Sequence, residues 1–538
     1  IYGLYFLFKA IFRKSLRSNI ALAVVLNLIS LISFYKIQAV AKPFWPEDIL
    51  LIGNAVEIAG YGNLHFEANV VMQLLATIIF LVIQWLITKY TEYEGKQKII
   101  SRVVIGIIGI SLLSFVCFYD RSDIKGFDEG NYNSQVNYNI YGATVEFFRN
   151  VYKLVEKPTL DFYSEERLEA IKQESESLAE LNQQEAEQAE KPNIIAIMVE
   201  SFTDITQIDA LEFEKDPLPT YRSILANYPH GNTVVSIYGG ETSMSEFEFL
   251  TGSSTRFLDG KRYPYAQVIK DETPSIVSTL KEQGYTTTAI HANDGAFYNR
   301  DTAYSYLGFN NMVFKDDMED IDNVYDTNVS DMDTAEEIVK QYEKMGDTQK
   351  FIFAITIELH SPLNDTRYAK YDIPIKPKTD ISTTELLAVQ VYSQGLYHFD
   401  QSLNYLIDYF EQQEEKVMLV FYGDHKPAFN TIYSEAYGEG IEKYQTPYVI
   451  WTNYELEQEE IEKYSKDKVS IAGLAMMVLE EANIEFPWYY TYIQHFYEQY
   501  PVCTNRFLID KEGNELDINT TNELIENYNI VLFELLYN

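Results

Sequence analysis

Three apolar runs in the first 120 residues, at 20–35, 70–87 and 103–119, constrain this chain more than any other feature. A helix needs roughly 20 apolar residues to cross a bilayer, and each run reaches that length once its flanks are counted. Buried helices of a soluble protein are the competing reading, and the hydropathy favours spanning helices. Residues 1–12 read as the end of an earlier span, and the chain opens on Ile1, so further sequence is expected upstream. Arg13, Lys14 and Arg17 precede the first run, and Lys89, Lys96, Lys98 and Arg102 separate the second from the third. Positive loops stay in the cytoplasm, so the third helix should exit and everything after Asp120 should lie outside the cell membrane.

Charge divides the chain at the same place. Residues 1–120 hold 10 Lys+Arg and 7 Asp+Glu, whereas the whole chain carries a net charge of −38. The exported part is therefore strongly acidic, which excludes nucleic acid as a partner, since a phosphate backbone needs a basic surface. It does not exclude a phosphate substrate gripped by a metal and a few local cations. The two cysteines, Cys117 in the last apolar run and Cys503 far beyond it, cannot pair across that topology. A core must then hold the exported part together, as expected at a bacterial surface that does without disulfides. Residues 161–191 contain ten acidic and three basic residues and only sporadic apolar ones, which reads as a solvated tether, helical or disordered. The expected organisation is transmembrane helices over 1–120, a linker with an acidic tether over 121–191, and a catalytic domain over 192–538.

From Asn193 onward, strand-like and helix-like segments alternate. Strands are expected at 193–199, 233–237, 285–290, 351–357, 417–422 and 448–451, and helices at 384–412 and 469–482. Thr273-Pro274 reads as an N-cap with proline at the first helical position, and Gly284 as that helix's stop. Such alternation predicts an α/β fold, a mostly parallel sheet with helices on both faces. Neither a GxGxxG nor a GxxxxGK pattern occurs, so no nucleotide is expected.

Three of the strands deliver polar groups at their carboxyl ends, where open α/β sheets place their sites. The run Asn193-Ile-Ile-Ala-Ile-Met-Val199 ends in Glu200; the run at 233–237 leads into Gly239-Gly240-Glu241-Thr242; the run at 417–422 leads into Asp424-His425. A carboxylate and an imidazole side by side, with a second carboxylate, suit a divalent cation held by mixed oxygen and nitrogen ligands. Two glycines allow a sharp turn before Thr242, which should open a helix; its hydroxyl would face backbone N–H groups and the positive end of the dipole, a setting for phosphate. An isolated threonine there is more often a plain N-cap. Beside a metal, its hydroxyl becomes a credible nucleophile. His291 and His360 end predicted strands, and Arg300 closes Phe297-Tyr298-Asn299-Arg300. Imidazoles plus a guanidinium suit a phosphodiester oxyanion, whereas His398 reads as a packed helix residue.

These residues resemble the lipoteichoic acid synthase family of the sulfatase and alkaline phosphatase superfamily, over about 191–451 and in the membrane layout. The resemblance implies one divalent cation, Mn²⁺ in first place with Mg²⁺ as the alternative, on Glu200, Thr242, Asp424 and His425, with Thr242 as nucleophile. It implies a glycerol phosphate pocket of His291, Tyr298, Arg300 and His360. The expected substrates are phosphatidylglycerol and a glycerol phosphate polymer or glycan acceptor, joined through a phosphoglycerol-threonine intermediate. The sequence departs from the family at Tyr298, where a Trp is usual, at Lys426-Pro427, where an aromatic and a Gly are usual, and in the added carboxylate Glu241. A hydrolytic phosphodiesterase or phosphatase and a non-catalytic membrane sensor or scaffold remain the other readings. A sulfatase activity is disfavoured, because Thr242 stands where a cysteine would be oxidised to formylglycine.

Overall fold

The computed structural model describes residues 1–40, 43–54, 68–91, 99–118, 138, 142–151, 158–186, 190–258, 263–319, 321, 323–325, 328–363 and 367–538. They form two compact units, Ile1–Lys157 and Pro158–Asn538.

The first unit is helical: α1 (Tyr2–Phe12), α2 (Ser15–Val40), α3 (Ala68–Thr91) and α4 (Ile99–Phe118). Among the described residues, three stretches are long and apolar enough to cross a membrane, Ser15–Ile37, Ala68–Lys89 and Ile99–Cys117, matching the three apolar runs. Ile78, Ile79, Ile107 and Phe115 are exposed, as lipid-facing side chains are. Helices α2 and α3 are joined by Asn19 to Gln84 (3.0 Å), Asn27 to Thr77 (3.1 Å) and Gln73 to Asn27 (3.0 Å). Side-chain amides of this kind hold apolar helices together where no hydrophobic force separates lipid from leucine.

The second unit is built on one eight-stranded sheet. Its strands are β1 (Asn193–Val199), β2 (His230–Val234), β3 (Thr286–His291), β4 (Asn311–Phe314), β5 (Lys350–Ile355), β6 (Val417–Gly423), β7 (Gln445–Thr452) and β8 (Val469–Ser470). In space the order is β8-β2-β7-β6-β1-β5-β3-β4. All pairings are parallel except those of β7, which runs antiparallel to β6 and β2. The sheet is therefore mostly parallel, as the alternation predicts. Strands β1, β5 and β6 are buried along their whole length, which is why they read as unbroken apolar runs. Each fully buried Ile, Leu or Val there contributes about 1.5–3 kcal/mol of transfer free energy.

The helices that bear on the site are α5 (Glu165–Ala186), α6 (Thr242–Thr251), α7 (Ile276–Glu282), α8 (Arg300–Leu307), α9 (Asp331–Lys344), α10 (Thr383–Phe410), α11 (Ile471–Glu481), α12 (Trp488–Gln499) and α13 (Glu523–Tyr537). Two local expectations are corrected. Helix α7 is capped by Ser275 in a capping box with Ser278, so Pro274 precedes the cap instead of opening the helix. The acidic stretch expected as a solvated tether is, over α5, a helix docked on its own unit. Leu168 and Ile171 are buried, Arg167 bonds Asn527 (2.8 Å) and Tyr163 bonds Glu534 (2.9 Å). Two apolar side chains three apart suffice to seat one face, a weak pattern in sequence but decisive once α12 and α13 lie opposite.

Candidate metal centre and active site

The parallel register of β1 and β6 pairs Val199 with Gly423, so the next residues, Glu200 and Asp424, emerge side by side. Asp424 Oδ1 accepts from the backbone N–H groups of Ser201 (2.7 Å) and His425 (2.8 Å). Glu200 Oε1 accepts from the Ser201 hydroxyl (2.8 Å), and the Glu200 N–H donates to Thr356 Oγ1 (3.2 Å). His425 Nδ1 lies 3.0 Å from the Lys426 carbonyl. A carbonyl can only accept, so Nδ1 carries the proton and the Nε2 lone pair faces inward. Nε2 is 3.3 Å from Asp424 Oδ2 and 3.8 Å from Glu200 Oε1. One donor atom from each of the three residues falls within 4.8 Å of the others, and exposure is 2%, 0% and 3% for Glu200, Asp424 and His425.

This donor set fits a divalent cation. Asp424 Oδ2 and His425 Nε2 are buried without a hydrogen-bond partner, although buried polar atoms are almost always paired. Burial, and then the neighbouring Asp424 charge, push the Glu200 carboxyl well above its usual range; burial also pushes Asp424 up. Two carboxylates so close in an apolar setting need a positive charge between them. Ligands at about 2.1 Å from one ion sit roughly 3 Å apart, close to the spacing found.

Thr242 joins the same cluster. Gly239, Gly240 and Glu241 have φ values of 69°, 144° and 73°, a left-handed turn that the two glycines make accessible. Glu241 occupies the N-cap of α6 and Thr242 is its first helical residue, so Thr242 opens the helix as expected and is not a plain N-cap. The Thr242 hydroxyl is among the groups that pull the Asp424 carboxyl back down, which places it at the cluster. The strain of the turn is notable because of where it falls. Of the six described non-glycine residues with left-handed φ, four are here: Ser201, Glu241, Tyr298 and Asn299. Such conformations cost about 1–3 kcal/mol each and persist where the surroundings enforce them.

The remaining predicted residues gather around this centre. His291 ends β3, opposite Ile355 of β5, and is buried. Burial and then the Arg300 charge depress its imidazole well below the usual range. His360 follows β5; burial lowers it to about 4, with His425 and Arg300 also nearby. Both shifts favour the neutral imidazole. Tyr298 stacks on Tyr263 (5.8 Å between ring centres) and lies under the Arg300 guanidinium (5.1 Å). Burial raises its phenol, and the Glu241 charge adds to that. Arg300 is electrostatically coupled to Glu200, His291, Tyr298 and His360, so all eight predicted residues share one region. Its guanidinium, however, is already engaged: Nε bonds both oxygens of Glu246 (3.1 and 3.0 Å), and an NH2 proton reaches the same carboxylate.

The profile of the family described as Sulfatase matches residues 192–483, more than half the chain. The chain belongs to the sulfatase family. Among curated relatives of this sulfatase-family chain, a Rhizobium meliloti protein assigned to cyclic beta-1,2-glucan modification is 31% identical over 61% of this chain and 51% of its own. Lipoteichoic acid synthase 1 of Bacillus subtilis is 24% identical over 82% of this chain and 70% of its own. The chain spans about half the length of the first of these. The solved phosphoglycerol transferase GacH of Streptococcus pyogenes, in complex with sn-glycerol-1-phosphate, shares the fold with a TM-score of 0.57. It is 22% identical and covers 71% of this chain and 95% of that one.

Within this sulfatase-family site, several supports escaped sequence reasoning. Ser201 braces both Glu200 and Asp424, and its carbonyl accepts from Tyr392 of α10 (2.6 Å). Ser245 donates to the Asp424 carbonyl (2.8 Å). His398, expected as a packed helix residue, bonds Glu358 (2.7 Å), two positions before His360. Lys426 is buried, bonds Thr203 (2.9 Å) and lies near the rings of Tyr433 and Tyr437; burial lowers its ammonium to about 7. Hydroxyls and tyrosines are too common in sequence to signal such roles. Neither cysteine belongs to the site: Cys117 lies in α4 and Cys503 beside Arg256.

Proposed function

We propose that this protein is a membrane-anchored, extracytoplasmic phosphoglycerol transferase. It moves glycerol phosphate from phosphatidylglycerol to a cell-surface acceptor, a lipoteichoic acid chain or related glycan, through a phosphoglycerol-threonine intermediate. The observation that carries this reading is the Thr242 hydroxyl, at the first turn of a buried helix and beside the Glu200, Asp424 and His425 donors. The relatives named for lipoteichoic acid synthesis and for glucan modification support a phosphoglycerol donor and a glycan acceptor.

Glu200, Asp424 and His425, with Thr242, would hold one divalent cation, Mn²⁺ in first place and Mg²⁺ in second, by the preference of hard oxygen ligands with one imidazole. When bound, such a cation lowers the pKa of a coordinated hydroxyl and neutralises phosphoryl charge. The Thr242 hydroxyl gives up its proton as Oγ attacks phosphorus, the bond from phosphorus to the diacylglycerol oxygen breaks, and that oxygen takes up a proton as it leaves. The helix N-terminus faces the phosphoryl oxygens, and Arg300 supplies a fixed positive charge. Neutral His291 and His360 hydrogen-bond the glycerol phosphate, and Tyr298 forms a wall against the glycerol. An acceptor hydroxyl then attacks the same phosphorus, loses its proton, and Thr242 Oγ is released and reprotonated. The covalent intermediate keeps the group from water until an acceptor arrives.

Two measurements test this reading. With fluorescent phosphatidylglycerol and Mn²⁺, the protein should release diacylglycerol and pass phosphoglycerol to an added acceptor; free glycerol phosphate as the sole second product would make it a phosphodiesterase. Added to intact protoplasts, protease should free a soluble fragment retaining Pro158–Asn538. A fragment protected until lysis would reverse the orientation.

A further inference from the structure

Arg300 has five N–H donors, and their allocation is informative. The edge formed by Nε and NH2 meets the Glu246 carboxylate, at 3.1 and 3.0 Å from Nε, with NH2 closing on Oε1. An NH1 proton goes to the Phe297 carbonyl (3.3 Å). The Tyr304 hydroxyl also interacts with the guanidinium, and the terminal nitrogens keep further N–H capacity that can meet phosphate oxygens. Glu246 itself is fixed twice: it is fully buried on α6, one turn beyond Thr242, and its Oε2 accepts from Tyr304 of α8 (2.7 Å).

We propose that Glu246 is a positioning residue, which clamps the side edge of Arg300 so that its terminal nitrogens are presented to the phosphate from a fixed place relative to Thr242. The nucleophile and the cation that grips the phosphoryl oxygens are then tied to one helix. A buried ion pair is weak evidence for stability, because desolvation offsets much of the attraction. Held geometry is the better account of a pair buried this completely beside a reacting centre. Lysine could not substitute for the guanidinium, having no planar edge to clamp and no second nitrogen to present. The inference rests on Arg300 taking a phosphate, as in the function proposed above.

The test uses the full-length protein in its Mn²⁺ form, with sn-glycerol 1-phosphate as probe and inorganic phosphate as a second one. Glu246→Gln should weaken binding by about 10- to 100-fold, the range for losing charged hydrogen bonds, with Mn²⁺ affinity unchanged. Arg300→Lys should weaken it similarly, and the double variant should be no worse than Arg300→Lys alone, since both act through one guanidinium. Should Glu246→Gln not fold, Tyr304→Phe removes one anchor of Glu246 and keeps its charge; it should weaken binding by a few-fold. Unchanged probe affinity in the variant that folds, equal loss of Mn²⁺, multiplicative losses in the double variant, or no probe binding by wild type would each overturn the proposal. If the binding results hold but phosphatidylglycerol is not consumed, the donor assignment fails and the positioning role stands. If it is consumed and Glu246→Gln binds the probe like wild type, only the positioning role fails.

Discussion

Asp424→Asn is expected to abolish turnover and cation binding while leaving the fold intact. Oδ1 accepts two backbone N–H bonds, from Ser201 and His425, and the amide oxygen of asparagine can keep both. Oδ2 is the buried atom without a partner, and its replacement by an NH2 group turns a ligand into a donor aimed at the cation. A fall of about 10²- to 10³-fold in kcat is the scale for removing one charge-stabilising group from a closed site, and loss of the cation adds to it. The stability effect should have the opposite sign. In wild type without cation, burial already disfavours the Asp424 charge beside Glu200, so chelated Asp424→Asn should melt no lower than chelated wild type. Mn²⁺ should raise the melting temperature of wild type alone. Equal stabilisation of both by Mn²⁺, or full activity in excess chelator, would remove the metal centre from the account.

Thr242→Ala should likewise silence the enzyme, for a different reason and with cation binding largely kept. The three remaining donors come from β1 and β6, so the cluster survives loss of the hydroxyl. Because Glu241 and not Thr242 is the N-cap, the substitution removes no cap; alanine at a helical position is favoured over threonine by about 0.5 kcal/mol. Folding should therefore be unchanged in a melting experiment, and diacylglycerol release should fall to background. Release by Thr242→Ala at the wild-type rate would mean that water or acceptor attacks phosphorus directly.

The central strands were legible because burial on both faces leaves an unbroken apolar run: the expected 193–199 coincides with β1, and 417–422 is β6 short of Gly423. Their polar followers, Glu200 and Asp424-His425, were legible for the same reason, as abrupt ends to such runs. Less was readable at the edge. Strand β2 spans His230–Val234 and not 233–237, since its first three residues, His230, Gly231 and Asn232, are only partly buried and their pattern is diluted. The docking of α5 and the engagement of Arg300 by Glu246 depend on residues brought together only by tertiary packing. Glu246 and Arg300 lie 54 positions apart, and nothing in the spacing of either announces the other.

The covalent intermediate is the claim on which the rest depends, and a mass measurement tests it most directly. Wild type mixed with phosphatidylglycerol and Mn²⁺, without acceptor, then quenched and digested, should yield the peptide containing Thr242 with one added phosphoglycerol, absent from Thr242→Ala. Rapid diacylglycerol release with that peptide unmodified at every time point would contradict the account.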